Sequence, residues 1–231
     1  MPVRSSALPS ELLPESPLCA TAGGDVVPVL HGSGLGLSRA GRPVLRGIDL
    51  ALGPGDLLQV LGPNGSGKTS LLRVLCGLAM PDDGALHWRG RPVRAGDPAY
   101  QQALAYVGHT NGIDPDLSPA ENLRFAARLA GDDGAGAVAP ALAAQGLERV
   151  AHTPVRALSQ GQRRRVALAR LSLARRALWL LDEPVAALDA DACAHFDAQL
   201  DAHLAAGGIA VIATHQLLPA GGAVLHLGAP A

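Results

Sequence analysis

The sequence predicts an α/β fold built on a parallel sheet whose two faces are both covered. The segments 57–61, 177–181 and 209–213 are short, mainly apolar runs, and a strand that is buried on both faces is apolar along its length. Helix-forming segments lie between these runs, which is the alternation typical of a parallel sheet. Gly207 and Gly208 supply a turn directly before the third run.

The bulk composition limits the classes of protein to which the chain can belong. Its 231 residues suffice for one α/β domain with a sizeable core and a small subdomain. A net charge of −1 and an aromatic content of 3% argue against a nucleic-acid partner. No segment approaches the ~18 uncharged apolar residues that a membrane-spanning helix needs. Cys19, Cys76 and Cys193 are far apart and lack metal or redox spacing, which fits a reducing cytosol.

Composition also divides the chain into segments. Residues 1–27 are expected to be a disordered N-terminal extension, because this stretch is rich in proline and lacks the apolar core of a signal peptide. The remainder, 28–231, is expected to fold as one domain. Apolar runs broken by glycine predict strands and turns in 29–55 and a hairpin in 84–94, which indicate an antiparallel β subdomain. A helical subdomain is expected at about 98–170.

One helix within this helical region has a well-defined start. Ser118 is predicted to be its N-cap, Pro119 its first residue and Glu121 the residue that closes a capping box. A loop is expected at 132–136, and another helix after Leu158.

The segment 62–69, Gly-Pro-Asn-Gly-Ser-Gly-Lys-Thr, fits a phosphate-binding loop at every fixed position. In such a loop successive N–H groups point inward at phosphate oxygens, and the following helix adds the partial positive charge of its N-terminus. Lys68 is predicted to reach the β and γ phosphates of ATP, and the Thr69 hydroxyl to bind Mg²⁺. The residues assigned to the nucleotide in this region are Gly62, Pro63, Asn64, Gly65, Ser66, Gly67, Lys68, Thr69 and Ser70.

An acidic pair follows the second apolar run. Asp182 is predicted to hold Mg²⁺, directly or through water, and Glu183 to polarise the water that attacks the γ-phosphate. Strands often end in acidic turns, so the acidic pair alone is weak evidence of a catalytic site. A phosphate-binding loop earlier in the same chain makes it part of a predicted ATP and Mg²⁺ site.

The segment 158–162, Leu-Ser-Gln-Gly-Gln, precedes a helix-forming stretch, and here the chain resembles the ATP-binding cassette family, whose signature is L-S-x-G-Q. The resemblance implies that Ser159 and the amide of Gly161 bind the γ-phosphate of an ATP held by another copy, and it adds Gln162 to the nucleotide-binding residues. A serine hydroxyl and free N–H groups at a helix start do form an anion site. The following run, 163–165, is expected to be a solvated helix face rather than a dedicated anion site.

Two histidines stand at positions that the resemblance makes functional. His215 follows the third apolar run, where the family has a histidine that contacts the γ-phosphate. His109 replaces the family's glutamine after the strand at 106–107, and it is expected to contact the attacking water and Mg²⁺. The alternative is that His109 is structural and that Thr110 or a backbone carbonyl binds the metal. The resemblance also implies a dimer-contact loop at 187–189.

The family stacks adenine on an aromatic residue upstream of the phosphate loop, but this chain has no aromatic residue before Trp88. The guanidinium plane of Arg39 or Arg42 is the candidate replacement.

Further matches, among them 106–109, 121–125 and 214–216, resemble the subfamily of haem-exporter ATP-binding subunits that act in cytochrome c maturation. The resemblance implies a P-loop NTPase core of RecA type and a homodimer that sandwiches two ATP molecules. It also implies an integral membrane permease, haem-handling membrane subunits and a peripheral position on the cytoplasmic face of the bacterial inner membrane. The alternatives are another small exporter, or a DNA-repair or translation ATPase. These last proteins carry coiled coils, paired cassettes or basic surfaces, and this sequence has none of them.

Overall fold

A computed structural model describes residues 29–131 and 136–228 of the chain. The expected N-terminal disorder and most of the expected loop at 132–136 lie outside these residues. The strands, in chain order, are β1 (Leu30–Arg39), β2 (Arg42–Leu52), β3 (Leu57–Leu61), β4 (Asp83–Trp88), β5 (Arg91–Pro92), β6 (Leu104–Val107), β7 (Leu178–Asp182), β8 (Ile209–Thr214) and β9 (Ala223–His226). The α-helices are α1 (Lys68–Leu75), α2 (Pro98–Ala103), α3 (Pro119–Leu129), α4 (Val138–Ala143), α5 (Gln160–Ala169) and α6 (Ala190–Ala205).

The predicted parallel sheet is confirmed, and it has the strand order β6-β7-β8-β3-β9. Every residue of β7 and β8 is buried, because α1 and the β1–β2–β4 sheet cover one face while α5 and α6 cover the other. β3 and β8 begin where the apolar runs predict, whereas β7 begins one residue later and includes Asp182. The strand β9 was not predicted, because its four residues give no usable periodicity.

Parallel pairing brings the functional segments together. Leu61 pairs with Thr214, and Asp182 pairs with Ala213, so β3, β7 and β8 end at the same edge of the sheet. The loops that follow these three strands therefore start side by side, which is where ligands bind in open α/β sheets.

The predicted antiparallel subdomain is also present. Its strand order is β2-β1-β4-β5, and its inner face shares one apolar core with α1 and the parallel sheet. Leu45 and Leu50 of β2, Leu72 of α1 and Leu180 of β7 all belong to that core. The two sheets are thus held by common packing, and the start of β2 lies close to the loop before α1.

The helical region has its own apolar cluster and two capped helices. Leu123 of α3, Leu142 of α4 and Val166 of α5 belong to this cluster. The capping box predicted for α3 is confirmed, since Ser118 N donates to Glu121 Oε2 at 2.8 Å and Glu121 N donates to Ser118 Oγ at 3.3 Å. The start of α5 has a second box of the same kind. A side-chain cap contributes about 1 kcal/mol to helix stability.

A stacked pair of rings ties α6 to the parallel sheet. The rings of Trp179 in β7 and His203 in α6 lie 3.8 Å apart with 7° between their planes. His203 Nε2 is 3.1 Å from the carbonyl oxygen of Ile209 and donates to it, while burial lowers the pKa of the imidazole. Gly208 lies against the same ring, and a Cβ at this position would be 2.2 Å from it.

We expect Gly208→Ala to destabilise the domain. The ring of His203 would have to move, and it would then lose both the stack on Trp179 and the hydrogen bond to Ile209. Overpacking of this kind costs about 1–3 kcal/mol, or several degrees of melting temperature for a chain of this size. Thermal unfolding followed by circular dichroism measures the effect.

Gly136→Ala is the matched control, because a Cβ at Gly136 meets no atom within 4 Å. The double variant His203→Ala/Gly208→Ala should lose less stability than the sum of the two single changes. A Gly208→Ala protein that melts with the wild type would contradict the packing argument.

Candidate active site

The loop between β3 and α1 has the backbone that phosphate binding requires. Gly67 has φ +102°, and a Cβ there would lie 3.0 Å from the carbonyl oxygen of Val44. At Gly62 a Cβ would lie 2.4 Å from the carbonyl oxygen of Leu227, so neither position accepts a larger residue. Helix α1 has no side-chain cap, which leaves the N–H groups of its first turn available to an anion.

Lys68 is held beside this loop rather than extended into solvent. Its side chain is 7% exposed, and Nζ donates to the carbonyl oxygen of Gly62 at 2.6 Å and to that of Pro63 at 3.3 Å. Nζ is also 3.9 Å from Glu183 Oε1. The ammonium group therefore lies between the loop and the acidic pair, close to where phosphate oxygens would enter.

Thr69 and Asp182 form the oxygen pair expected of a magnesium site. Thr69 Oγ1 donates to Asp182 Oδ2 at 2.8 Å, and Asp182 is 2% exposed. Within the described residues no group of three or more His, Cys, Asp and Glu side chains could hold a metal alone. Mg²⁺ characteristically takes one or two protein oxygens together with phosphate and water oxygens, and this pair fits that pattern.

Glu183 directly follows β7 and has φ +50°, an uncommon conformation for a residue other than glycine. Its Oε1 atom is 3.0 Å from His215 Nε2. This oxygen is shielded from solvent and accepts no hydrogen bond of good geometry. It is therefore a carboxylate oxygen with free acceptor capacity at the edge where the phosphate loop ends.

These groups border one cavity of about 310 Å³. The cavity brings together the phosphate loop, the acidic pair and His215. Its lining residues are Val44, Pro63, Asn64, Gly65, Gly67, Lys68, Thr69, Ser70, Asp182, Glu183 and His215. Gly62 is not among the lining residues, but its carbonyl oxygen accepts a hydrogen bond from Lys68. The hydroxyl of Ser66 in the same loop is buried and has no hydrogen-bond partner.

The structure does not bring Arg39 or Arg42 to this cavity. Both are exposed where β1 turns into β2, and the cavity is bordered instead by Val44. Sequence reasoning missed Val44 because it looked for a planar side chain to stack on adenine. The available signal was an apolar residue near the start of β2, the strand that approaches the phosphate loop.

The signature residues and His109 lie outside the cavity of their own chain. Ser159 and Gln162 form the capping box of α5, with Ser159 N donating to Gln162 Oε1 at 2.9 Å. A Cβ on Gly161 would lie 2.7 Å from the carbonyl oxygen of Ala187. His109 is exposed after β6. The single chain therefore assembles only one part of the predicted site.

The expectation of a solvated arginine face at 163–165 was wrong for Arg164. This residue is 5% exposed because it lies on the same face of the helix as Leu168 and Leu171, which are four and seven residues further on and are also buried. That spacing was visible in the sequence, but three consecutive arginines concealed it. Burial lowers the pKa of the Arg164 guanidinium, and the carboxylates of Asp182 and Glu183 oppose that effect.

Comparison with known proteins identifies the fold and the family. The sequence pattern described as ABC transporter matches residues 45–186. The chain belongs to the ABC transporter family. It is 69% identical to the cytochrome c biogenesis ATP-binding export protein CcmA of Cupriavidus necator, over 99% of each chain. It is 59% identical to the protein of the same name from Cupriavidus pinatubonensis, over 88% of this chain and 90% of that one.

Solved structures of ABC transporter subunits have the same fold as this chain. An ATP-binding subunit of an ABC transporter superposes with a TM-score of 0.75 at 26% identity, over 82% of this chain and 80% of that one. A putative ABC transporter ATP-binding protein from Pyrococcus furiosus gives 0.76 at 25% identity, over 86% and 96%. The predicted fold class and family are thereby confirmed, and the cassette is an ATPase. Among the residues that the structure describes, no helix is long and apolar enough to cross a membrane.

We expect Lys68→Ala to abolish ATP hydrolysis and weaken ATP binding while the fold persists. Lys68 contacts loop carbonyls and Glu183 but takes no part in the apolar core, and loss of a charge aimed at transferring phosphate costs roughly a hundredfold or more in rate. Turnover and binding of a fluorescent ATP analogue measure the two effects.

Arg73→Ala is the control, since it removes an exposed cation from the same helix. Turnover retained by Lys68→Ala, or a loss of turnover equal to that of Arg73→Ala, would contradict the assignment of the phosphate loop.

Proposed function

We propose that this ATPase is the energy-supplying subunit of a membrane complex for c-type cytochrome biogenesis, in which hydrolysis drives haem export or the release of a haem chaperone. The observation that carries the proposal is 69% identity, over 99% of both chains, to a cytochrome c biogenesis ATP-binding export protein. More distant relatives with the same printed name support it, among them one from Aromatoleum aromaticum at 48% identity.

The geometry supports a specific division of labour in hydrolysis. Thr69 and Asp182 would hold Mg²⁺, which when bound neutralises charge on the β- and γ-phosphate oxygens. The N–H groups of the loop and the Lys68 ammonium bind the phosphates. Glu183 Oε1 accepts a proton from the attacking water as the bond from the γ-phosphorus to the bridging oxygen breaks, which leaves ADP and inorganic phosphate.

His215 acts next to that base. Its Nε2 atom is 3.0 Å from Glu183 Oε1 and its ring is about half exposed at the mouth of the cavity. We infer that His215 donates a hydrogen bond to the γ-phosphate and that its ring limits the movement of the Glu183 carboxylate beside it. The attacking water would then lie beside this pair of residues.

The complete site needs two copies of the chain. Ser159, Gly161 and Gln162 do not border the cavity of their own chain, so a second copy would present them to the γ-phosphate. A bacterial ABC transporter cassette of the same fold has been solved as a dimer. In the proposed assembly two copies enclose two ATP molecules, and an integral membrane permease and haem-handling subunits hold the pair at the cytoplasmic face of the inner membrane.

His109 stays a candidate for contact with the attacking water and with Mg²⁺. It lies in the loop that follows β6, next to the end of β7, and two other residues of that loop, Gly108 and Asn111, accept hydrogen bonds from Arg164. Its imidazole is exposed and therefore free to turn toward the cavity when a second copy closes over it.

We expect Glu183→Gln to bind ATP, to lose hydrolysis by roughly a hundredfold or more, and to accumulate as a dimer with ATP and Mg²⁺. The amide keeps the shape of the carboxylate but does not accept the proton. Size-exclusion chromatography with light scattering on the purified chain, with ATP and Mg²⁺, measures dimer formation, and phosphate release by the complex with its membrane partners measures turnover.

Glu148→Gln, which changes an exposed carboxylate away from the cavity, is the matched control. Unchanged turnover in Glu183→Gln would exclude Glu183 as the base.

We expect Ser159→Arg to abolish assembly of c-type cytochromes in cells although the phosphate loop of each chain still binds ATP. A bulky cation at the start of α5 would prevent two copies from closing over the nucleotide. Haem-stained cytochromes in a complemented deletion strain, and nucleotide binding by the purified chain, measure the two effects.

Ser159→Ala is the stability control, because both substitutions remove the hydroxyl that caps α5 and so lose about 1 kcal/mol of helix stability. Normal cytochrome maturation in Ser159→Arg would count against the paired assembly.

A further inference from the structure

The Arg164 guanidinium is a buried cation whose hydrogen bonds go to neutral acceptors. It is 5% exposed, and it forms no salt bridge with any described carboxylate. Buried charge is costly unless it is well hydrogen-bonded. The positions of the four acceptors therefore indicate the role of Arg164.

Two of these acceptors flank the proposed base. Nη2 donates to the carbonyl oxygen of Asp182, and Nε donates to that of Pro184 at 3.1 Å. Glu183 lies between them with φ +50°, a conformation that costs about 1–2 kcal/mol for a residue with a Cβ. One rigid guanidinium thus holds the peptide plane that precedes Glu183 and the carbonyl of the residue that follows it, which restricts the backbone on both sides of the Glu183 side chain.

The third nitrogen reaches a different loop. Nη1 donates to the carbonyl oxygen of Gly108 at 2.8 Å and to Asn111 Oδ1 at 3.0 Å. These residues belong to the segment after β6 that contains His109. One planar group thus joins the start of α5, the loop after β6 and the loop after β7, and a shift of one of these segments disturbs the bonds to the others.

We propose that Arg164 is a positioning residue for ATP hydrolysis, which keeps Glu183 in its left-handed conformation and couples that conformation to the loop around His109. The inference rests on the proposed role of Glu183 as base. Arg164 does not touch the cavity, so its loss should lower kcat and leave ATP affinity unchanged. A misplacement of about 1 Å at a reacting group costs on the order of a hundredfold in rate.

Arg164→Lys and Arg164→Gln test the role in the full chain purified with its membrane partners. Neither side chain can reach all four acceptors, and lysine keeps the charge but not the planar fork. We expect kcat to fall by 10- to 100-fold in both variants, with the dissociation constant for ATP within about twofold of wild type.

Arg165→Gln is the matched control on the same helix. Arg165 also donates to a backbone carbonyl, that of Gln145, but makes no contact with the loop after β7. If Arg164 had only a structural role, the Arg164 and Arg165 variants would lose melting temperature and kcat to a similar degree. Loss of kcat in the Arg164 variants alone supports positioning, and equal losses overturn it.

A double variant separates the inference from the function on which it rests. If Arg164 acts through Glu183, then Arg164→Gln adds no further loss of kcat to Glu183→Gln, whereas multiplicative losses overturn the inference. A low kcat in Glu183→Gln combined with a wild-type kcat in Arg164→Gln would refute the positioning role alone. A wild-type kcat in Glu183→Gln would refute the base itself.

Chemical rescue gives an independent measurement. Arg164→Ala leaves a space shaped for a guanidinium ion among four carbonyl-type acceptors. Guanidinium added at millimolar concentration should raise the kcat of this variant at least several-fold, and methylammonium should not. Equal responses to the two ions, or no response to either, would contradict the requirement for a planar cation that spans the two loops.

Discussion

The active-site geometry depends on the in-register parallel pairing of three buried strands. Because β3, β8 and β7 end at one edge, the loops that follow them meet within hydrogen-bonding distance, and Thr69 contacts Asp182 across 113 residues of sequence. A slip of one residue in a strand buried on both faces would reverse the direction of every side chain in it. The apolar packing on both faces of the sheet therefore also fixes the positions of the charged groups.

The helices α1, α3 and α5 begin in two different ways, and the difference matches the role of each helix. α3 and α5 begin with side-chain capping boxes that satisfy their own N–H groups. α1 begins at Lys68, and its N-cap residue Gly67 has no side chain to satisfy such groups, so the first N–H groups of α1 keep their donor capacity. A side-chain cap at this helix start would compete with the phosphates for the same donors, and the close approach of Val44 leaves no room for one at Gly67.

Local sequence signals predicted the features that depend on neighbouring residues. The phosphate loop, the acidic pair, the capping box at Ser118 and three of the strands all fall in this class. The features that were missed depend on contacts distant in sequence. Arg164 is buried because α5 packs against segments 18 to 56 residues away, and Val44 borders the cavity because β2 approaches a loop that begins later in the chain.

Lys68 has one more property that follows from the whole sequence. The 231 residues contain a single lysine, and the other basic side chains that carry charge permanently are arginines. That lysine is nearly enclosed by the loop it contacts. Among these 231 residues, reagents that acylate or reductively alkylate primary amines therefore have one lysine side chain to modify. A change in the labelling of this side chain on addition of nucleotide reports binding at the phosphate loop, without a substitution or an added fluorophore.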